Sequence, residues 1–235
     1  KTFMPLGEFL PPTDLASLSL SLKRDGRSPD FSLVTDDYLL QYPELNQYYT
    51  LKKERKYAEY IYDRDTLVTL PGKKLHKKRN LISQFHRQYP AFTISVLNDS
   101  YRQSALGLAH ELMMQTSVPS KTLQDEMAAM KIAFQHFDSL GLEGLALLLD
   151  DQLIAFSVFS RLGKSGYDIH FEKSDLQFKG AAQVINQETA RWLAERCTYL
   201  NREQDLGIRG LRQAKMSYDP LRVVTPVTLI FSLSD

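Results

Sequence analysis

Between Leu145 and Glu172 three strand-forming runs follow one another with almost nothing between them. Leu145–Leu149 reads LALLL, Leu153–Arg161 reads LIAFSVFSR and Tyr167–Glu172 reads YDIHFE; the connections are DDQ at 150–152 and a turn carrying GKSG at 163–166. Parallel neighbours need a crossover of roughly a dozen residues or more, so connections this short leave only antiparallel pairing. The centre of the chain must be a three-stranded meander, and the rest must pack on it.

The flanking segments alternate helix and strand. Before the meander, Asn98-Asp99-Ser100 offers a cap to a helix starting at Tyr101, whose Ala105, Leu108, Ala109 and Leu112 recur at helical spacing. A second helix runs from Leu123 to about Leu140, with Met127, Met130, Phe134 and Phe137 inward and Gly141 as its stop. After the meander come a helix over 181–196, a short strand TYLN at 198–201, a short helix over 208–216 and a last strand, VVTPVTLIF. The first hundred residues read as a helix over 15–23, a strand Phe31–Val34 and a helix led by Asp36 and Asp37 that ends before Pro43. They continue with a strand YAEYIY at 57–62, a helix from Lys73 to Gln88 and a strand FTISVL at 92–97.

The order helix, helix, meander, helix, strand, helix, strand resembles the acyl-CoA N-acyltransferase (GNAT) fold, and the first hundred residues resemble the back half of a second copy. The expectation is therefore a mixed α/β protein of two tandem GNAT-like domains: residues 1–99, truncated at the N-terminus, and residues 100–235. With 235 residues, 43% of them hydrophobic, the chain has material for one large core or two modest ones. It opens on Lys1 in a stretch, TFMPLGEF, that reads as the middle of a sheet, which points to a longer parent protein.

The net charge is only +1, so a polyanion would meet a local patch and not the whole molecule. The single cysteine, Cys197, cannot form an internal disulfide. No secretory signal is visible, and no apolar run approaches the ~18 residues a spanning helix needs. A cytoplasmic protein is expected. Three tempting motifs fail. GKS at 163–165 lacks the first glycine of a phosphate-binding loop, which would fall on Val158. HELMM at 110–114 carries Met114 where a zinc-protease helix needs His. The five histidines have no partner at ligand spacing, so no metal is expected.

Three clusters carry candidate chemistry. The first is PGKKLHKKRN, residues 71–80, with Lys73, Lys74, His76, Lys77, Lys78, Arg79 and Asn80 crowded at a helix start. Cations are unfavourable at the positive end of a helix dipole, by about 0.3–1 kcal/mol each. Either this is a solvated amphipathic face, with Leu75, Ile82, Phe85 and Tyr89 inward, or an anion such as phosphate rests there. The second is YDIHFEKSDLQFKG and the helix after it. His170 and Glu172 alternate onto one strand face, away from Ile169 and Phe171, as a general-base pair or as a cross-strand polar pair. Lys173 and Asp175 border this cleft, and the amides near Gly180 could hold an oxyanion. Glu188 falls on the apolar stripe of Ala181, Val184, Ile185 and Trp192, where it needs a cationic partner or a catalytic reason. The third is YLNREQDLGIRGLRQAKMSY: Asn201, Arg202, Glu203 and Asp205 follow a strand, with Lys215 and a candidate general acid, Tyr218, beyond. Asp205 as a helix cap and Arg202 as a surface ion pair are the structural alternatives.

Together, LPGKKLHKKRN (70–80), HFEKSDLQFKGAAQVINQE (170–188) and YLNREQDLGIRGLRQAKMSY (199–218) resemble the C-terminal domain family of phosphatidylglycerol lysyltransferase, in its small bacterial branch. The resemblance spans most of the chain from about Tyr57. It implies tandem GNAT-like domains shared with Fem-type aminoacyltransferases, which move an aminoacyl group from aminoacyl-tRNA to a lipid or peptide without a metal. The basic helix start would then contact tRNA or an acceptor phosphate. The membrane enzymes carry Asp and Arg on the donor-side strand; here His170 or Glu172 and Lys173 stand in the matching places. The expectation is an acyl or aminoacyl transferase with aminoacyl-tRNA or acyl-CoA as donor, an anionic lipid or peptide as acceptor, and no tightly bound cofactor. The alternatives are a CoA-dependent N-acyltransferase, against which Gly180 stands without the glycine spacing of a pyrophosphate cradle, and an inactive module that binds RNA or protein. The oligomeric state is left open.

Overall fold

The computed structural model describes residues 2–4, 8–115 and 121–232. In chain order the strands are β1 (Thr2–Phe3), β2 (Phe31–Val34), β3 (Tyr49–Lys53), β4 (Glu59–Asp63), β5 (Thr93–Val96), β6 (Glu143–Leu149), β7 (Gln152–Leu162), β8 (Gly166–Ser174), β9 (Tyr199–Gln204), β10 (Arg222–Val224) and β11 (Val227–Phe231). The α-helices are α1 (Pro12–Arg24), α2 (Asp36–Gln41), α3 (Arg64–Thr69), α4 (His76–Gln88), α5 (Asp99–Met114), α6 (Lys121–Gln135), α7 (Ala181–Trp192) and α8 (Arg209–Met216). The fold class is mixed α/β, as the element order implied.

Contacts divide the chain into two compact units: Lys1–Tyr60 with Gln204–Gln213 and Arg222–Asp235, and Ile61–Glu203 with Ala214–Leu221. This is not a cut after residue 99. β5 runs antiparallel beside β6, pairing Thr93 with Leu148 and Val96 with Leu145, and α4 packs on α7. Residues 61–98 are thus built into the larger unit.

In the larger unit the strands lie in the order β4-β9-β8-β7-β6-β5. β6, β7 and β8 form the antiparallel meander, while β9 joins β8 in parallel. Asp150 and Asp151 turn the first hairpin at φ +49° and +61°, the left-handed pair that matches strand twist. Arg161 ties the second, its Nε donating to the Gly163 carbonyl at 3.1 Å, so GKS is a hairpin turn. One sheet face is covered by α5 and α6, whose Leu108, Met130 and Phe134 meet Phe156 and Val158 of β7. α7 packs against β7 and β8 as well as α4. The Asn98 side chain caps α5 through the Ser100 amide at 3.1 Å, the expected signal.

The smaller unit has a four-stranded sheet, β1-β2-β11-β3, over a core of Leu15, Phe31, Tyr38, Tyr49 and Leu229. The segment expected as one last strand is two, β10 and β11, separated at Thr225-Pro226 because proline offers no amide to a ladder. Among the described residues, no helix is long and apolar enough to cross a membrane.

Candidate functional site

The parallel ladder of β8 and β9 is short. It pairs Gly166 with Tyr199, Tyr167 with Leu200 and Asp168 with Asn201, and there it stops, although β8 continues beside β7 as far as Ser174. Beyond that point side chains span the two strands: His170 to Glu203, and Glu172 to Arg202.

His170 and Glu172 do not share a face. The β7–β8 register slips between the pairs Val158–Phe171 and Phe159–Ile169, leaving His170 as the extra residue of a bulge. Strict alternation, on which the shared face was expected, fails across such a residue. Phe171 packs on the α5–α6 core and the Lys173 ammonium reaches Glu126 of α6 at 2.8 Å, whereas Glu172 accepts from the Asn186 amide of α7 at 3.1 Å. Lys173 therefore lies in an ion pair on the face opposite Glu172.

On the α7 face the Glu172 carboxylate is held by Arg202 Nη2 at 2.7 Å, both side chains 14% exposed. The Arg202 guanidinium lies 4.9 Å from the Tyr218 ring centroid, and the Lys78 ammonium lies 4.2 Å from the same centroid. Burial, then the nearby Arg202 charge, push the Lys78 ammonium below its usual range, and Glu172 offsets part of this. Three buried polar atoms here have no hydrogen-bond partner: Arg202 Nη1, Asn186 Oδ1 and Ser157 Oγ. Two cations face one carboxylate, with a spare donor and a spare acceptor. Such groups are costly to bury unsatisfied, so a water or another polar molecule is expected beside them.

On the other side of the splay, His170 Nδ1 lies 2.7 Å from Glu203 Oε1, and His170 Nε2 lies 2.8 Å from Ser160 Oγ. An ionised carboxylate can only accept, so Nδ1 carries its proton and the neutral ring presents its Nε2 lone pair to the Ser160 hydroxyl. The Glu203 hydrogen bond raises the His170 pKa, burial opposes it, and the charges of Glu203 and Asp168 add to the rise. Glu203 sits at φ +53°, its amide donating to Asn201 Oδ1 at 2.9 Å. Left-handed backbone outside glycine costs about 1–3 kcal/mol and tends to occur where a side chain must be aimed. Ser160 was not among the sequence candidates. Its spacing from His170 across a hairpin is the only signal that could have found it, and the bulge hides that spacing.

The remaining candidates divide by location. Glu188 pairs with Arg191 on its own helix at 2.5 Å, the cationic partner its place on the apolar stripe called for. Tyr218 is buried at 4% exposure, and burial pushes its hydroxyl above the usual tyrosine range. The Lys215 ammonium donates to the Arg202 and Glu203 carbonyls, clamping the end of β9. Asp175 turns its loop by accepting from the Gln177 amide at 2.9 Å. Asp205 belongs to the smaller unit, fully buried beneath Arg55, Tyr60 and Arg212. Burial alone would raise its pKa, but the hydrogen bonds of Arg212, Tyr60 and the Gly207 amide hold it well below the carboxylate range.

Of the basic cluster, Arg79 donates to the Leu70 and Gly72 carbonyls and Lys74 pairs with Asp219 at 3.0 Å. Lys78 turns inward; Lys73, His76, Lys77 and Asn80 face solvent. Helix α4 begins only at His76, after a turn, so the Lys73 to Leu75 segment precedes the helix. Gly180, at φ +101°, abuts α4 so closely that a Cβ would lie 2.6 Å from the Leu81 carbonyl oxygen. The negative end of a peptide dipole thus occupies the space beside this helix start. Among the described residues no group of three or more His, Cys, Asp and Glu side chains could hold a metal ion.

The family model described as phosphatidylglycerol lysyltransferase, C-terminal, matches residues 2–225. A conserved protein of unknown function from Bacteroides thetaiotaomicron superposes with a TM-score of 0.90 at 29% identity, over 98% of this chain and 78% of that one. L-PGS from Bacillus licheniformis superposes at 0.64 with 15% identity, over 95% of this chain and 74% of that one, and so shares the fold. An uncharacterized protein of Mycoplasmoides gallisepticum is 25% identical over 69% of this chain; the match spans 53% of its length, about half of that relative.

Proposed function

Because this chain belongs to the family of phosphatidylglycerol lysyltransferase C-terminal domains, we propose that it transfers an aminoacyl group from aminoacyl-tRNA to an amine or hydroxyl acceptor, such as an anionic lipid or a peptide. Family and fold support acyl or aminoacyl transfer as the reaction class. The choice of donor rests on the polar cluster behind the splay, with its unsatisfied Arg202 Nη1 and Asn186 Oδ1 beside Lys78. An aminoacyl ester brings an amino group, which Asn186 Oδ1 can accept from, and a carbonyl, to which Arg202 Nη1 can donate. That second bond strengthens as negative charge develops on the carbonyl oxygen during attack. Lys78 and the exposed Lys73, His76 and Lys77 supply charge for donor phosphates. His170, oriented by Glu203 on the other side of the splay from Arg202 and Asn186, takes the acceptor's proton through water; Glu172, committed to Arg202 and Asn186, does not.

Against acyl-CoA stands the single Gly180 before α7, which lacks the glycine spacing of a pyrophosphate cradle and is packed against the Leu81 carbonyl oxygen. The reaction is placed in the cytoplasm, where charged tRNA is found, and calls for no tightly bound cofactor. The test is binding of charged tRNA and of acyl-CoA to the whole chain across a salt series. With about three phosphates neutralised, tRNA affinity falls roughly thirtyfold between 50 and 200 mM salt. Lys77→Glu/Lys78→Glu weakens it further. Tight acyl-CoA binding without tRNA binding overturns this donor, and an unchanged tRNA affinity in the double variant removes the role of the basic cluster.

A further inference from the structure

We propose that Ser160 is a nucleophile that carries the acyl group as a serine ester, activated by His170 and Glu203. This deepens the acyl-transfer reading and rests on it for its donor. Three separate elements supply the three groups: Ser160 near the end of β7, His170 from the bulge in β8, and Glu203 from the end of β9. Ser160 Oγ is 2.8 Å from His170 Nε2, and His170 Nδ1 is 2.7 Å from Glu203 Oε1. A hydroxyl, an imidazole and a carboxylate so connected form the relay that activates serine on unrelated folds, where geometry and not chain order defines it.

A merely structural hydrogen bond accounts for this poorly. Ser160 is only half-buried, so water could satisfy its hydroxyl, and the His170 and Glu203 side chains are 27% and 41% exposed. Yet the register slip that frees His170 and the left-handed φ of +53° at Glu203 both occur at residues of this relay. The titratable groups facing His170 are Glu203 and Asp168, both of which favour the imidazolium that forms when Ser160 gives up its proton. The partly exposed His170 and Glu203 side chains leave one side of the relay facing solvent, from which a substrate would approach.

The step balances. Ser160 Oγ bonds to the carbonyl carbon of an activated ester while its proton moves to His170 Nε2. The ester C–O bond then breaks, and His170 returns the proton to the departing oxygen. An acceptor amine or hydroxyl attacks the acyl-serine, its proton passes through His170, and Ser160 leaves as the free hydroxyl. With water as acceptor the same steps make an esterase.

The experiment labels the full chain with a fluorophosphonate at pH 8 and follows the adduct by intact-protein and peptide mass spectrometry. One phosphonyl adduct is expected, on the peptide carrying Ser160. Ser160→Ala, whose fold is checked by circular dichroism, abolishes it, and His170→Gln slows it at least about a hundredfold. No adduct on Ser160, or equal labelling in His170→Gln, overturns the proposal. Transfer from charged tRNA separates it from the broader reading. Wild-type transfer by Ser160→Ala sinks the acyl-serine and leaves the transferase standing. Labelling of Ser160 without transfer to any acceptor upholds the nucleophile and sinks the transferase.

Discussion

Replacing Glu172 with Gln asks whether Arg202 is held in place by charge. The pair is 2.7 Å apart with both side chains 14% exposed, and Asn186 also donates to the same carboxylate. Gln keeps the volume, so no cavity forms; the loss is the anion that compensates Arg202. Removing one partner of a buried pair costs about 3–5 kcal/mol, and the residual exposure here places the value near 3 kcal/mol. For a chain of this size each kcal/mol moves Tm by about 2–4 °C, so the expected drop is roughly 6–12 °C. Arg202→Met strands Glu172 instead and should cost a similar amount. The double variant should then be less damaged than the sum of the singles by about 2 kcal/mol. Urea unfolding followed by circular dichroism reads all three midpoints at constant m. Losses that add to within about 0.5 kcal/mol would show that the two side chains do not meet, and the polar cluster argued from them would go.

Gly180→Ala places a Cβ 2.6 Å from the Leu81 carbonyl oxygen and 2.9 Å from Phe85 Cβ at a backbone φ of +101°. The backbone conformation costs about 1–2 kcal/mol and the overpacking about 1–3 kcal/mol. Calorimetry should show Tm lower by at least about 4 °C; an unchanged Tm would mean that α7 does not abut α4 there. Glu203→Gln removes the main cause of the raised His170 pKa, so the imidazole midpoint read by NMR should fall. Because the native pKa is raised, stability from this contact is full below the unfolded value of about 6.5 and fades as pH rises through the native pKa. A His170 midpoint that stays put in the variant would contradict the assignment of Glu203 as its partner.

The candidate site was legible in the sequence as residue types and only partly as geometry. His170, Glu172, Arg202 and Glu203 stand out because polar groups on strands are conspicuous against apolar runs, Lys78 because it lies in the basic cluster, and Tyr218 as a candidate general acid beyond α8. Their partners were not readable. Periodicity put His170 with Glu172, but the bulge turns His170 toward Ser160 and Glu203 and leaves Glu172 to Arg202 and Asn186. Asp205, read with its neighbours in the chain, is tied instead to Arg55, Tyr60 and Arg212.

What the sequence determined by itself is local. Turns at 150–152 and 163–166 too short for a crossover require the meander, and Asn98 caps α5 because its side chain reaches an amide two residues on. These outcomes depend on a few consecutive residues. Tertiary structure decided the rest, since strand register and pairing between distant segments are settled by packing summed over many residues. The stop of the β8–β9 ladder at Asp168, the insertion of β5 beside β6, and the placing of a carbonyl against Gly180 are of that kind.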